Sequence, residues 1–283
     1  MTITTDYLTT LDRFRLIVKK RVTSHFAGSR PSTVLGRGTT IKDHRQYAPG
    51  DDFRLIDWKI FAKTDNLYIK QFEEDKDLTT HIIVDASASM DFGSPITKFE
   101  FASMIGIGFA HLAVRDNDKF QFATFSNSVD VFQSSRAPSH LLKMVDHLNS
   151  LKVRGNTKFG DAVLKYRRVI GSKALVILLS DFLYDAPQIE AGLNRLAGNE
   201  IRVIQVLDST EVDLPVLGEV NLHDAETSTE MKTFVSQRMK QQYLYRMQQH
   251  NSHIEEICNR LNAKYNRVTT DMPIFDAFWN ALN

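Results

Sequence analysis

The apolar run His81-Ile82-Ile83-Val84 opens directly into Asp85-Ala86-Ser87-Ala88-Ser89. A short apolar run before an acidic, hydroxyl-rich turn reads as a buried strand ending in a loop. A second such run, Ala174 to Leu179, ends in Ser180-Asp181. Buried strands with carboxylates at their tips, alternating with amphipathic segments, restrict the chain to an α/β sheet. Ligands of open α/β sheets bind at the carboxyl ends of the strands, where the topology switches. Asp85, Ser87 and Ser89 occupy every second position, so an extended loop turns one carboxylate and two hydroxyls the same way. Hard oxygen ligands without His or Cys suit Mg2+ or Mn2+, whose octahedral shell accepts waters beside protein groups. The plainer reading is a Ser-rich turn after a strand.

The order of elements extends this picture. Leu8, Leu11, Phe14, Ile17, Val18 and Val22 recur at helical spacing, so the first 26 residues contain an amphipathic helix with a basic outer face. Residues 28–40 read as a loop. Residues 41–80 are turn-punctuated and β-rich, with Leu67 to Phe72 alternating like a half-exposed strand. From residue 80 the pattern is strand, helix, strand. Lys98 to Val114 is a helix, and Phe120 to Phe125 with Val129 to Phe132 a hairpin. Leu141 to Leu151 and Gly160 to Ile170 are helices flanking the polar loop of Asn156 and Thr157. A helix over Gln188 to Leu196 and a strand over Ile201 to Leu207 follow. Residues 208–227 read as an acidic hairpin, and Glu230 to Tyr265 as a long polar helix broken near His250-Asn251. Asn266 to Thr269 is an edge strand and Ile274 to Leu282 a closing helix. The expected fold is a doubly wound, mostly parallel α/β sheet flanked by helices. Residues 1–78 form a helix and β-rich extension packed on a main domain of residues 79–283, which ends in a helical region.

Composition narrows the function. The net charge is +1 over 283 residues, with Lys and Arg spread along the chain. Nucleic-acid binding, which needs a basic stripe, is disfavoured. Cys258 is the one cysteine; an intramolecular disulfide is excluded, and a reducing compartment fits. No apolar run approaches the roughly 20 residues that span a bilayer, and the start of the chain lacks the apolar core of a secretory signal. The expected location is cytoplasmic, with no integral membrane segment.

The strand-end pentad, Thr157 and Asp181 together resemble the metal-ion-dependent adhesion site of von Willebrand factor A domains. That resemblance implies a metal held by Ser87, Ser89 and Thr157, with Asp85 and Asp181 holding its waters. Such domains often carry Thr-Asp-Gly at the last segment, where this chain has Ser180-Asp181-Phe182, and Asp185 is the alternative carboxylate. Arg45-Gln46-Tyr47-Ala48-Pro49-Gly50-Asp51-Asp52-Phe53-Arg54-Leu55-Ile56-Asp57-Trp58, followed by the pentad, resembles the bacterial domain-of-unknown-function 58 family (DUF58). The stretch from Leu207 through Asp224 is also similar to members of that family. This second resemblance implies work alongside a MoxR-type AAA+ ATPase or its client. On physical grounds alone, Arg45, Asp51, Asp52, Arg54 and Asp57 are expected to form ion pairs that fix a turn, with Trp58 packed beneath, and the alternative is a partner-binding segment.

Three functions compete. A metal held by neutral hydroxyls stays electron-poor, so an acidic side chain of a protein partner can complete its shell. That reading is a non-catalytic, metal-dependent binding module. A Mg2+-dependent phosphoester hydrolase using Asp85 is the enzyme alternative, but the second carboxylate of a D-x-D pair is replaced by Ser87. G-x-S-x-G and Walker A patterns are absent from the sequence. The third reading is a scaffold whose site no longer binds metal.

Overall fold

The computed structural model describes residues 3, 5–8, 41–72, 79–155, 159–171, 173–223 and 230–282. The amphipathic helix expected beyond Leu8 and the loop at 28–40 lie outside the described residues. The chain divides into two compact units, Val22–Asp77 and Met1–Arg21 with Leu78–Asn283.

In the smaller unit, β1 (Ile41–Gln46) pairs antiparallel with β2 (Tyr68–Phe72). The segment between them is not wholly turn and strand, because α1 (Trp58–Thr64) forms there. Asp57 caps it, its carboxylate accepting the N–H groups of Lys59 at 2.9 Å and Ile60 at 3.3 Å. Arg45 grips Asp51 through a two-pronged contact, 2.9 and 2.6 Å, and Ala48 N–H donates to the same carboxylate at 2.8 Å. This closes the Pro49-Gly50 turn with charge-assisted bonds. Trp58, expected to lie beneath the turn, is 60% exposed. It starts a helix, and its ring meets Phe61 edge-on.

The larger unit holds a six-stranded sheet in the order β10-β7-β6-β3-β4-β5. Its strands are β3 (Thr79–Asp85), β4 (Lys119–Phe125), β5 (Val129–Val131), β6 (Leu175–Ser180), β7 (Glu200–Leu207) and β10 (Lys264–Thr269). Every pairing is parallel except β4 with β5. Strands β3 and β6 are buried along nearly their whole length, as the unbroken apolar runs require. Helices α2 (Lys98–Arg115), α3 (Pro138–Ser150), α4 (Phe159–Arg167) and α5 (Ala186–Arg195) connect the strands. A short α6 (Ser209–Asp213) follows β7, and α7 (Gln237–Arg260) and α8 (Ile274–Leu282) bracket β10 in sequence. The sheet is thus α/β, mostly parallel and flanked by helices, as the strand–helix alternation predicts. Cys258 lies buried on α7 as an inert thiol, pushed up to about 12 by burial.

Three expectations fail in the C-terminal third. The acidic stretch after residue 208 is not a hairpin of its own, because α6 opens it and Gly218–His223 pairs with Glu230–Val235. Glu230–Val235 is not helical but forms β9, paired antiparallel with β8 (Gly218–His223). The β-favouring Thr233-Phe234-Val235 has a partner strand, and the helix starts only where Ser236 Oγ accepts the Met239 N–H at 3.2 Å. Nor is α7 broken near His250-Asn251. The carboxamide of Asn251 accepts from Gln205 at 3.1 Å, and His250 lies 2.7 Å from the Phe182 carbonyl. The polar pair is tied to the sheet, so it fastens the helix instead of interrupting it.

Two buried ionisable residues shape the core. Arg202 sits on β7 and donates to the Ala281 and Leu282 carbonyls at 3.0 and 2.8 Å, satisfying the end of α8. His81 lies within β3, 2.9 Å from the buried Tyr166 hydroxyl. Burial pushes the His81 imidazole down to about 4, from 6.5. The folded state therefore holds the neutral ring, and its contribution is fully present above pH 6.5 and lost as pH falls toward 4. Stability should fall across that window by at most about 1.4 kcal/mol per pH unit from this group. Denaturant titrations from pH 7 to 4 on wild type and His81→Gln check it, the variant showing the shallower slope.

Candidate functional site

Strands β3 and β6 are neighbours with Val84 opposite Leu179, so Asp85 and the Ser180-Asp181 pair reach the same edge of the sheet. Strand β7 lies next to β6, with Gln205 opposite Ser180, and it ends one residue before Asp208. Three adjacent strands thus deliver carboxylates to one edge.

Asp85 is fully buried. One of its oxygens accepts the Ser87 N–H at 2.9 Å, and the other accepts the Ser180 hydroxyl at 2.6 Å and the Tyr184 hydroxyl. Burial, with the charge of Asp181 adding to it, raises the Asp85 carboxyl to about 6, and the donors only partly offset this. Ser87 and Ser89 hydrogen-bond to each other, their hydroxyl oxygens 3.1 Å apart, with Ser87 buried and Ser89 partly exposed. The pentad is anchored from both sides. Ala86 N–H donates to Phe125 at 2.7 Å, Arg154 N–H to Ala86 at 3.2 Å, and Ala88 N–H to Gly155 at 3.1 Å. Gly155 has φ +96°, and a Cβ there would fall 2.6 Å from the Asn127 side chain, so any other residue would be strained. Thr157, the third expected hydroxyl ligand, lies outside the described residues.

Asp181 is fully buried but does not stand alone. The Lys98 ammonium, wholly buried, reaches it at 2.9 Å and Glu211 at 2.7 Å. Although burial works against its charge, Asp181 and Glu211 hold the Lys98 ammonium above its usual range. Lys98 is the first residue of α2, where a cation opposes the helix dipole. The two carboxylates compensate for that placement. Glu211 also accepts the Asp208 N–H at 3.0 Å, and Asp208 accepts the Thr210 and Thr270 hydroxyls at 2.6 and 2.7 Å. Phe182 takes φ +52°, the left-handed turn that a glycine would otherwise supply after Asp181. Asp185, the alternative carboxylate, is exposed at the start of α5.

Lys98, Glu211, Ser180 and Tyr184 are the site residues that sequence spacing does not reveal. A charged residue in the first turn of a strongly apolar helix is the one signal that points to Lys98. Tyr184 stacks on Phe159 with ring centroids 5.5 Å apart, so the buried end of α4 steadies the hydroxyl that meets Asp85.

The residues fit a hard divalent cation on two counts. Octahedral Mg2+ bonds of about 2.0–2.1 Å place adjacent ligand oxygens about 3 Å apart, matching the Ser87–Ser89 separation of 3.1 Å. In addition, Asp85, Asp181 and Glu211 together outnumber the single ammonium of Lys98. Among the described residues, no group of three or more His, Cys, Asp or Glu could hold a metal, so any such site depends on the hydroxyls.

The fold and site define an α/β protein whose mostly parallel sheet gathers carboxylates and paired serine hydroxyls at its carboxyl edge. Residues 43–253 match the family model described as "Protein of unknown function DUF58", and the chain belongs to that family. The uncharacterized protein Rv1480 of Mycobacterium tuberculosis is 28% identical over 228 residues, covering 77% of this chain and 70% of that protein. The uncharacterized protein YeaD of Bacillus subtilis is 24% identical over 104 residues, 37% of this chain and 24% of that one. Among solved structures, the conserved hypothetical protein BatB from Bacteroides thetaiotaomicron is similar at 17% identity and a TM-score of 0.44, covering 72% of this chain and 95% of that chain. Among the described residues no helix is long and apolar enough to cross a membrane.

Proposed function

We propose that the chain is a non-catalytic, divalent-metal-dependent protein-binding module of the von Willebrand factor A-like type. Mg2+ or Mn2+ would be held by the Ser87 and Ser89 hydroxyls with Thr157, and Asp85 and Asp181 would hold coordinated water. The observation that carries the reading is the paired serine hydroxyls, 3.1 Å apart beside a buried carboxylate with a raised pKa. The bound metal would supply a positive centre for an acidic side chain from a partner. Membership of DUF58 supports a MoxR-type AAA+ ATPase or its client as that partner, and the buried Cys258 thiol supports a reducing, cytoplasmic setting. Ser87 stands where a D-x-D hydrolase would carry its second carboxylate, which favours the binding role.

Titration calorimetry with Mg2+ and Mn2+ should show saturable binding that Ser87→Ala weakens at least about tenfold. The same variant and EDTA should each abolish retention of the ATPase in a pull-down. Equal metal binding by wild type and Ser87→Ala would remove the site assignment. One observation favours the scaffold reading instead: Lys98 already supplies a positive charge to Asp181. Absence of any saturable metal binding would select that reading.

A further inference from the structure

The edge strand β10 presents a second surface, remote in chemistry from the serine and carboxylate cluster. It is last in the sheet order, and among the described residues only β7 pairs with it. The Thr270 N–H continues the ladder to the Leu207 carbonyl at 3.0 Å. With the two-residue period of a strand, Lys264, Asn266 and Val268 then turn their backbone groups toward β7. Those of Tyr265 and Arg267, with the Thr269 N–H, turn outward over about 13 Å of strand, the Thr269 carbonyl being taken by the Met272 N–H at 3.1 Å.

That outward edge is recessed. Tyr265 points to one face of the sheet, its hydroxyl donating to Gln205 at 2.5 Å beneath Asn251 of α7. Asn266 points to the other, donating to the Asn280 carbonyl of α8 at 2.9 Å. Helices α7 and α8 therefore stand on opposite sides of the edge. The cavity between them is about 560 Å³ and is lined by Tyr265, Asn266 and Arg267 with Gln248, Asn251 and Asn280 among its walls. A bare strand edge invites pairing with any chain. Here the flanking helices would keep a second copy's equally recessed edge away, whereas a single extended peptide can enter. The walls suit the same guest, because carboxamides both donate to and accept from peptide groups.

We infer that the β10 edge between α7 and α8 is a docking groove for an extended polar segment of a partner protein. The segment adds as a seventh strand, its alternate peptide groups meeting the backbone of Tyr265 and Arg267 and the Thr269 N–H. The surface is independent of the metal reading and needs no cation.

The test is selection of a displayed random decapeptide library on the full chain in EDTA, followed by anisotropy titration of a selected peptide. An N-methyl scan of that peptide should weaken binding about 5–10-fold at alternate positions and leave the intervening ones near wild type. Arg267→Pro, which removes an outward N–H but is tolerated on an edge strand, should weaken the unmodified peptide to a similar degree. Ser87→Ala should leave its affinity unchanged. Slowed amide exchange at Arg267 and Thr269 on peptide addition would support the same contact without any variant. A selection that enriches no peptide, a scan without alternation, or full affinity in Arg267→Pro would overturn the inference.

Discussion

Replacing Lys98 with methionine is expected to destabilise the larger unit by about 3–5 kcal/mol, the range for removing one partner of a buried ion pair. The ammonium is wholly buried, and it faces Asp181 at 2.9 Å and Glu211 at 2.7 Å. Methionine fills much of the same volume, so the loss reports charge more than packing. What remains is a buried Asp181 carboxylate and the Glu211 carboxylate, with nothing of opposite sign between them. The double variant Lys98→Met with Asp181→Asn removes one of the stranded charges and should recover part of the loss. Urea unfolding followed by circular dichroism in EDTA gives both values. The single variant should also respond more steeply to Mg2+ than wild type, because a divalent ion would then be the available cation for Asp181. Wild-type stability in Lys98→Met would show that this ammonium does not hold the strand tips together.

The paired sheet edge was legible because each of its parts is local. An apolar run ending in a carboxylate identifies a buried strand and its tip, and parallel order then puts Asp85 and Asp181 at one edge. The partners of Lys98 were not legible, since they lie 83 and 113 residues away in sequence. The same holds for Tyr184, which reaches Asp85 across 99 residues. The misread C-terminal third has a different cause. A polar surface gives β9 and the start of α7 similar sequence character, and only the pairing with β8 separates them. His250 and Asn251 misled for the opposite reason: polar side chains that serve tertiary contacts look, in sequence, like a helix ending. Phe182 adopts by tertiary constraint the left-handed turn that sequence assigns to glycine.

Asp85→Asn is expected to separate the demands of folding from those of binding. In the folded chain the Asp85 carboxyl is raised to about 6 from an ordinary 3.8, chiefly by burial and then by the neighbouring Asp181 charge. A raised carboxyl costs folding energy wherever it must ionise. The penalty is fully present above pH 6 and is relieved as the pH falls through 6 toward 3.8. Asparagine removes that charge but meets the Ser180 and Tyr184 hydroxyls less well, which takes back about 1 kcal/mol. In EDTA at pH 8 the variant should therefore be more stable than wild type by about 1–2 kcal/mol. That advantage should shrink toward pH 4. Mg2+ should reverse the order. At a hundredfold excess over Kd, wild type gains about 2.7 kcal/mol by mass action, and the variant, lacking the charge that holds the metal's water, gains little. Thermal melts of both proteins with EDTA and with Mg2+, at pH 8 and pH 4, test the crossing. If Asp85→Asn is the less stable protein in EDTA, or keeps the Mg2+ gain, then the buried carboxylate serves the fold alone. If the curves cross, the chain tolerates an unfavourable charge at the tip of its central strand because a cation completes the site.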